Sequence, residues 1–335
     1  MSEFESAQAD AKAALDTEDA EFAVLLTHDV DRPYKTGQSL YYALAERDPR
    51  HLKALLPGQN PWWTFEDIMQ LEDDLGVRSA FYFLREQHIL ERSPTDWLDP
   101  FYWVESMGRY EVERTELTEL LARLDGGDWE VGLHGSYDSF SDPNRLFMEK
   151  TTLEAALGSE VTGGRHHHLR HEPMTWEYHR EMGLKYDASP GSSSEYGFDR
   201  YHPFRPFGDE FVVFPLTLME IALPDPGEQF DEAWRECERL LEEARENGAV
   251  MSVLWHPRLF NDDDFPGYRE LYRRLVERAV EMGAWVGPPA DFYERMDHPD
   301  GAGVSAPDAA DKRSLRAAKA ENNKVQTDAT TDSTG

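Results

Sequence analysis

Two aspartates, several histidines and one arginine stand at the tips of apolar runs, where a stiff scaffold would present them. In FAVLLTHDVD (22–31) the two-residue period of a strand puts Thr27, Asp29 and Asp31 on one face and His28 and Val30 on the other. Two carboxylates at a buried strand end raise each other's pKa unless a cation or a donor intervenes. A divalent ion that takes one as ligand and leaves the other as general base resolves the conflict. The competing reading of Asp31-Arg32-Pro33 is a turn or a helix cap, since aspartate before proline is common in turns.

In WEVGLHGSYDSF (129–140), Glu130, Gly132, His134 and Ser136 share a face, and His134 leaves the strand where a Gly-Ser-Tyr turn begins. A neutral imidazole there can ligate a metal. Asp138, four residues on, either reaches the same ion across a helical turn or caps the next segment. In GGRHHHLRH (163–171) a strand directs Arg165 and His167 one way and His166 and His168 the other, so at most half of the tract serves one site. Arg165 and His167 are assigned to the rim, where the guanidinium can pair with a site carboxylate; His166, His168 and His171 are expected to pack or to face solvent. VLWHPRLF (253–260) ends an apolar run at His256, and Pro257 stops strand pairing and fixes the turn that presents the ring. His256 is either a strand-end histidine with its hydrogen bonds satisfied or a general acid, a role that contributes roughly 10²–10⁴-fold in rate.

The elements that must position these groups alternate along the chain. Strand patterns fall at 22–31, 78–86, 129–137, 161–169, 184–189, 210–220, 249–257 and 284–287, with helical patterns at 64–77, 113–127, 145–159, 172–183, 231–248 and 267–283. The helix at 64–77 carries Thr64 as predicted N-cap, Asp67 three residues on, and Gly76 to close it. Seven or eight β/α units predict an α/β fold, a single distorted (β/α) barrel of about seven strands over 21–297, although a doubly wound sheet alternates in the same way. The candidate residues all lie at the C-terminal ends of strands, where both architectures gather reactive groups. The segments 1–20 and 298–335 are polar and predict disordered, acidic termini. The stretches 32–62 and 91–112, with Trp62, Trp63, Trp97, Tyr102 and Trp103, are expected to add walls. The loop SPGSSSEYGFDRYHPFRPF (189–207) has the composition to line a cleft for a sugar-like ligand or to act as a structural lid.

The chain has 335 residues, with 66 Asp and Glu against 34 Lys and Arg, a net charge of −32. Such a surface repels polyanions and excludes nucleic acid as a partner. Only 8 of the 34 cations are lysine, which together with the acid excess points to a halophilic protein. At molar salt the Debye length is ~3 Å and the self-repulsion is screened. The single cysteine, Cys237, forbids an internal disulfide or a thiolate cluster and reads as a helix packing residue. The acidic N-terminus lacks the blocks of a secretion signal, and no run of 18 apolar residues occurs, so the expectation is a cytoplasmic chain without stable membrane insertion; the oligomeric state stays open.

The order of these motifs resembles the polysaccharide deacetylase family, the NodB-homology or carbohydrate esterase family 4 group, over about residues 20–296. LTHDVD resembles a variant of the family's T-F-D-D-G motif, LHGSYDS its H-[ST]-x-x-H motif, GGRHHHLR stands where its arginine motif falls, and LWHP resembles its last histidine motif. The resemblance implies a distorted barrel of about seven strands and metal-dependent removal of N-acetyl groups from carbohydrates. It implies Asp29 as catalytic base, Asp31 as metal ligand displaced by one residue, His134 as first histidine ligand, Arg165 as the arginine that orients the base, and His256 as catalytic acid. Val30 occupies the family's second Asp position, Asp138 stands where the second histidine ligand belongs, and Gly135-Ser136 follows His134 where the family has Ser or Thr directly. His167 is the candidate for the missing nitrogen. Zinc is the expected ion for such an N/O set with open positions. A barrel that has lost its ligands and binds glycans or serves as a scaffold is the alternative.

Overall fold

The structure is a computed structural model that describes residues 5–35, 39 and 60–297. In chain order the strands are β1 (Glu5–Ser6), β2 (Phe22–Val30), β3 (Ala80–Leu84), β4 (Glu130–Gly135), β5 (Gly163–His166), β6 (Tyr186–Asp187), β7 (Phe204–Arg205), β8 (Val212–Val213), β9 (Leu216–Met219), β10 (Val250–Leu254) and β11 (Ala284–Gly287). The helices are α1 (Gln8–Thr17), α2 (Phe65–Leu75), α3 (Pro100–Met107), α4 (Thr115–Gly126), α5 (Pro143–Leu157), α6 (Pro173–Glu181), α7 (Pro226–Asn247), α8 (Tyr268–Glu281) and α9 (Pro289–Arg295).

Strands β8-β6-β5-β4-β3-β2-β10-β9 run parallel in that order and form the curled sheet of a distorted (β/α) barrel. Every residue of β2 is buried, which is why FAVLLTHDV reads as a nearly continuous apolar run: a parallel strand is covered on both faces. One edge of β2 is divided. Phe22–Leu25 pair with β11 and Thr27–Val30 pair with β3, while the opposite edge pairs with β10. At β5 the chains approach so closely that a Cβ on Gly164 would lie 1.9 Å from the carbonyl oxygen of Leu133 on β4, so only glycine fits there.

Three expectations are corrected. The predicted disorder of 1–20 does not hold for residues 5–20. There β1 pairs with β7, and α1 buries Ala11, Ala14 and Leu15, with Ala7 just before it, a stripe of small side chains too weakly apolar to stand out by composition. The predicted strand at 210–220 is two strands, because Phe214-Pro215 passes the chain from β8, beside β6, to β9, beside β10; proline lacks the donor that would continue one ladder. Thr64 occupies the N-cap position of α2 without capping it, and its hydroxyl donates to the carbonyl of Pro257 at 2.6 Å. Gly76 closes α2 in the left-handed conformation (φ 69°) as the sequence predicts. The predicted tail 298–335 and most of the 32–62 stretch lie outside the described residues. No helix among the described residues is long and apolar enough to cross a membrane.

Candidate functional site

Alternation along β2 turns Thr27 and Asp29 toward the C-terminal rim and His28 to the other side. There His28 meets the fully buried Glu72, which also accepts from Ser79, Trp129 and Tyr272. Asp31 follows one residue past the strand end and remains 8% exposed. Strand β4 delivers His134, β5 delivers Arg165 with His167 just beyond it, and β10 leads to His256. These groups converge. Asp31 Oδ1 lies 3.0 Å from His134 Nε2 and 3.7 Å from His167 Nε2, and Asp31 Oδ2 lies 3.2 Å from His256 Nε2 and 3.4 Å from Arg258 Nη1. Asp29 Oδ1 accepts from Arg165 Nη1 at 2.8 Å, and its Oδ2 is 3.7 Å from His134 Nε2.

Hydrogen bonds fix the orientation of each group. His134 Nδ1 is 2.8 Å from the carbonyl oxygen of Arg165; a carbonyl only accepts, so Nδ1 carries the proton and Nε2 faces Asp31. Both His134 Nε2 and Asp31 Oδ1 are buried, and neither has a further hydrogen-bond partner among the described residues. A bare imidazole nitrogen and a bare carboxylate oxygen at that separation repel unless a proton or a metal cation sits between them. Donors each ~2.1 Å from one ion stand roughly 3–3.5 Å apart. Asp31, His134 and His167 each offer an atom within 4.8 Å of the others, so these residues fit a divalent ion. The carboxylates draw positive charge, proton or metal, to this point. Burial, which opposes charge on the ring, is outweighed at His134 by Asp29 and Asp31, and its pKa rises. Burial would raise the carboxyl of Asp31, but His167, His256 and His134 hold it well below the usual range.

Arg165, buried on β5, is pinned by donating Nε–H to the Ala188 carbonyl at 2.8 Å and Nη1–H to Thr27 Oγ1 at 2.8 Å as well as to Asp29. On the other flank His256 Nδ1 is hydrogen-bonded to Oε1 of Glu220, at the end of β9. Burial alone would lower the pKa of His256; Glu220, and Asp31 after it, push it up to about 9 despite the opposing Arg258. Glu220 was missed by the sequence reading. Its signal was available, since it is the one carboxylate ending the apolar run LTLME at the same rim.

The expectation that Asp138 is a ligand is corrected: its carboxylate is taken by Arg92 Nη1 at 2.5 Å and approached by Arg170 Nη1 at 3.4 Å, apart from the three-ligand cluster. The same Arg92 binds Glu86 at 2.6 Å, so the 91–112 stretch does wall the rim, with Phe101 and Tyr102 against Tyr137. His166 packs against His179 and His171 against Trp176, as expected. In the 189–207 loop, Tyr196 and Phe198 pack on the core and Tyr201 donates to Glu243. Cys237 is buried in α7, and burial pushes its thiol up to about 12.

No protein-family model matches the sequence, and no curated protein matches it. Among solved structures, the chain is similar to one assigned as a polysaccharide deacetylase from Mycobacterium smegmatis, at 18% identity and TM-score 0.55, over 83% of this chain and 90% of that one. It is also similar to PuuE allantoinase, at 14% identity and TM-score 0.55, over 82% and 90% of the two chains. A third likeness is to a protein assigned as a polysaccharide deacetylase from Pseudomonas aeruginosa PAO1, at 12% identity and TM-score 0.55, over 84% and 93%. With the motifs of four strands meeting at one rim, this chain has the fold of the polysaccharide deacetylases.

Proposed function

We propose that the chain belongs to the polysaccharide deacetylase family as a divergent member and is a metal-dependent hydrolase of carbon–nitrogen bonds that removes N-acetyl groups from a glycan or sugar precursor. The observation that carries this reading is the convergence of three buried donors, with Asp31 Oδ1 3.0 Å from His134 Nε2 and 3.7 Å from His167 Nε2. Asp31, His134 and His167 would hold a divalent ion, zinc first among the candidates. Such an ion supplies Lewis-acid polarisation of a carbonyl and lowers the pKa of water.

The chain's own residues provide the proton transfers. Asp29, held by Arg165, which the Thr27 hydroxyl helps to fix, takes the proton of the attacking water. His256, kept charged by Glu220, gives a proton to the departing amine on the opposite flank. The two groups therefore act from either side of Asp31. The names of the structural neighbours from Mycobacterium smegmatis and Pseudomonas aeruginosa support an acetylated carbohydrate as substrate.

The test is acetate release from N-acetylated sugars by the zinc-loaded protein, together with metal analysis. Asp29→Asn keeps the ion and loses at least ~10²-fold in kcat, the contribution expected of a general base. An Asp29→Asn variant as active as the natural chain removes Asp29 from its role. A protein that binds glycan equally well with and without chelator, and holds no metal, establishes the binding or scaffold reading in place of the enzyme.

A further inference from the structure

His167 has a second nitrogen that the centre above does not use. Its Nε2 faces Asp31, whereas Nδ1 is buried, has no hydrogen-bond partner among the described residues, and lies 3.5 Å from Oε2 of Glu105 and 3.8 Å from Oε2 of Glu86. The other oxygen of Glu105, Oε1, is 3.6 Å from Nε2 of His168. Glu105, His167 and His168 each offer a donor atom within 4.8 Å of the others. The sequence reading expected His168 to pack or face solvent. It is half-exposed, and it stands beside Glu105 because it leaves strand alternation in a left-handed conformation (φ 55°), followed by Leu169 (φ 56°), a rare backbone for two successive side-chain-bearing residues.

Protonated histidines offer a rival account of this cluster. An imidazolium between carboxylates contracts to about 2.7–2.9 Å, the length of a charge-assisted hydrogen bond. Here the spacings from His167 and His168 to Asp31, Glu86 and Glu105 run from 3.5 to 3.8 Å. They are long for hydrogen bonds and close to the ~3.4 Å edge between two donors each ~2.1 Å from a tetrahedral ion. Glu86 is already engaged by Arg92 and by the backbone N–H groups of Tyr137 and Gln87. Among the described residues Glu105, 5% exposed, accepts only from Arg32 Nη2 at 3.5 Å, the outer limit of a hydrogen bond.

We propose that Glu105, His168 and Nδ1 of His167 form a second divalent-cation site, and that the His167 ring bridges the two ions. The proposal rests on the first centre only in sharing that ring. As the second ion binds, the N–H proton of the neutral ring passes to solvent and the ring becomes an imidazolate, so that each nitrogen donates one lone pair. The N/O donor set suits a borderline ion such as zinc(II).

The experiment loads the full chain, stripped by chelator, with zinc(II) and counts bound metal by mass spectrometry. The natural sequence holds about two ions per chain, and Glu105→Gln, His168→Asn and Asp31→Asn each hold about one. His168→Asn keeps the fold test clean, because asparagine tolerates the left-handed backbone at this half-exposed position. One ion in the natural chain, kept in Glu105→Gln and lost in Asp31→Asn, overturns the second site and leaves the first standing. One ion lost in Glu105→Gln and kept in Asp31→Asn overturns both the shared ring and the proposed active centre, and no bound zinc overturns both sites. In the copper(II)-loaded natural chain the bridge couples the two spins and weakens the paramagnetic resonance signal per copper relative to Glu105→Gln; equal signals overturn the bridge.

Discussion

Glu220 shows how a single side chain outside the motifs can fix the orientation of one inside them. Fully buried, it grips Nδ1 of His256 and leaves Nε2 directed at Asp31. Glu220→Gln removes the charge while preserving the shape, and kcat for acetate release is expected to fall about 10–100-fold with KM and zinc content unchanged. A kcat within twofold of the natural chain would show that His256 needs no anionic support. Much of the site was legible at this scale because Asp29, Arg165 and His256 each end an apolar run, and side-chain alternation alone orients them. Asp138 was misread because sequence spacing does not reveal the competing Arg92, 46 residues away. The position of His168 was hidden for a different reason: its positive φ breaks the alternation from which it was read.

At the scale of elements, the site's precision rests on the contact between β4 and β5, which carry His134, Arg165 and, just past the strand, His167. Gly164 is where the two strands touch, and Gly164→Ala would set its Cβ against the Leu133 carbonyl. The strands must separate, so the substitution is expected to cost about 3 kcal/mol or more in urea unfolding, the upper range for overpacking, and to weaken zinc binding with it. A variant of natural stability would mean that β5 shifts freely. The apolar runs announced the long parallel strands, and Gly76 announced the end of α2. What escaped were elements whose stability comes from the partner, not from their own composition. Helix α1 is built from alanines that are apolar only in aggregate, and β8 and β9 are parted by one proline whose effect depends on which neighbours each half finds.

Across the whole molecule, the acid excess is expected to make stability depend on salt. With a net charge of −32, the thermal midpoint followed by circular dichroism is expected to rise steeply between low salt and molar potassium chloride, as screening shortens from ~10 Å at 0.1 M to ~3 Å. A midpoint independent of salt would rule out self-repulsion as the limit. One buried and one partly buried carboxyl add a pH dependence. Burial raises Glu130 and Glu149 to about 7, against partial relief from Tyr186 and Ser136 respectively. Because the folded state holds these protons more tightly than the unfolded one, the stability they contribute is complete below about 4.5 and is lost as pH rises through about 7. The loss is on the order of 3 kcal/mol for each group. Urea midpoints measured from pH 5 to 8 should decline, and Glu130→Gln should flatten the decline.

The divided edge of β2 has a consequence for how the chain is made. Its lower half waits for β11, its upper half takes β3, and its far side takes β10, so the strand that carries Asp29 and leads into Asp31 is finished only when residues near 287 have left the ribosome. Until then the nascent polypeptide carries a long unsatisfied apolar strand, and chaperone occupancy during translation should be greatest there.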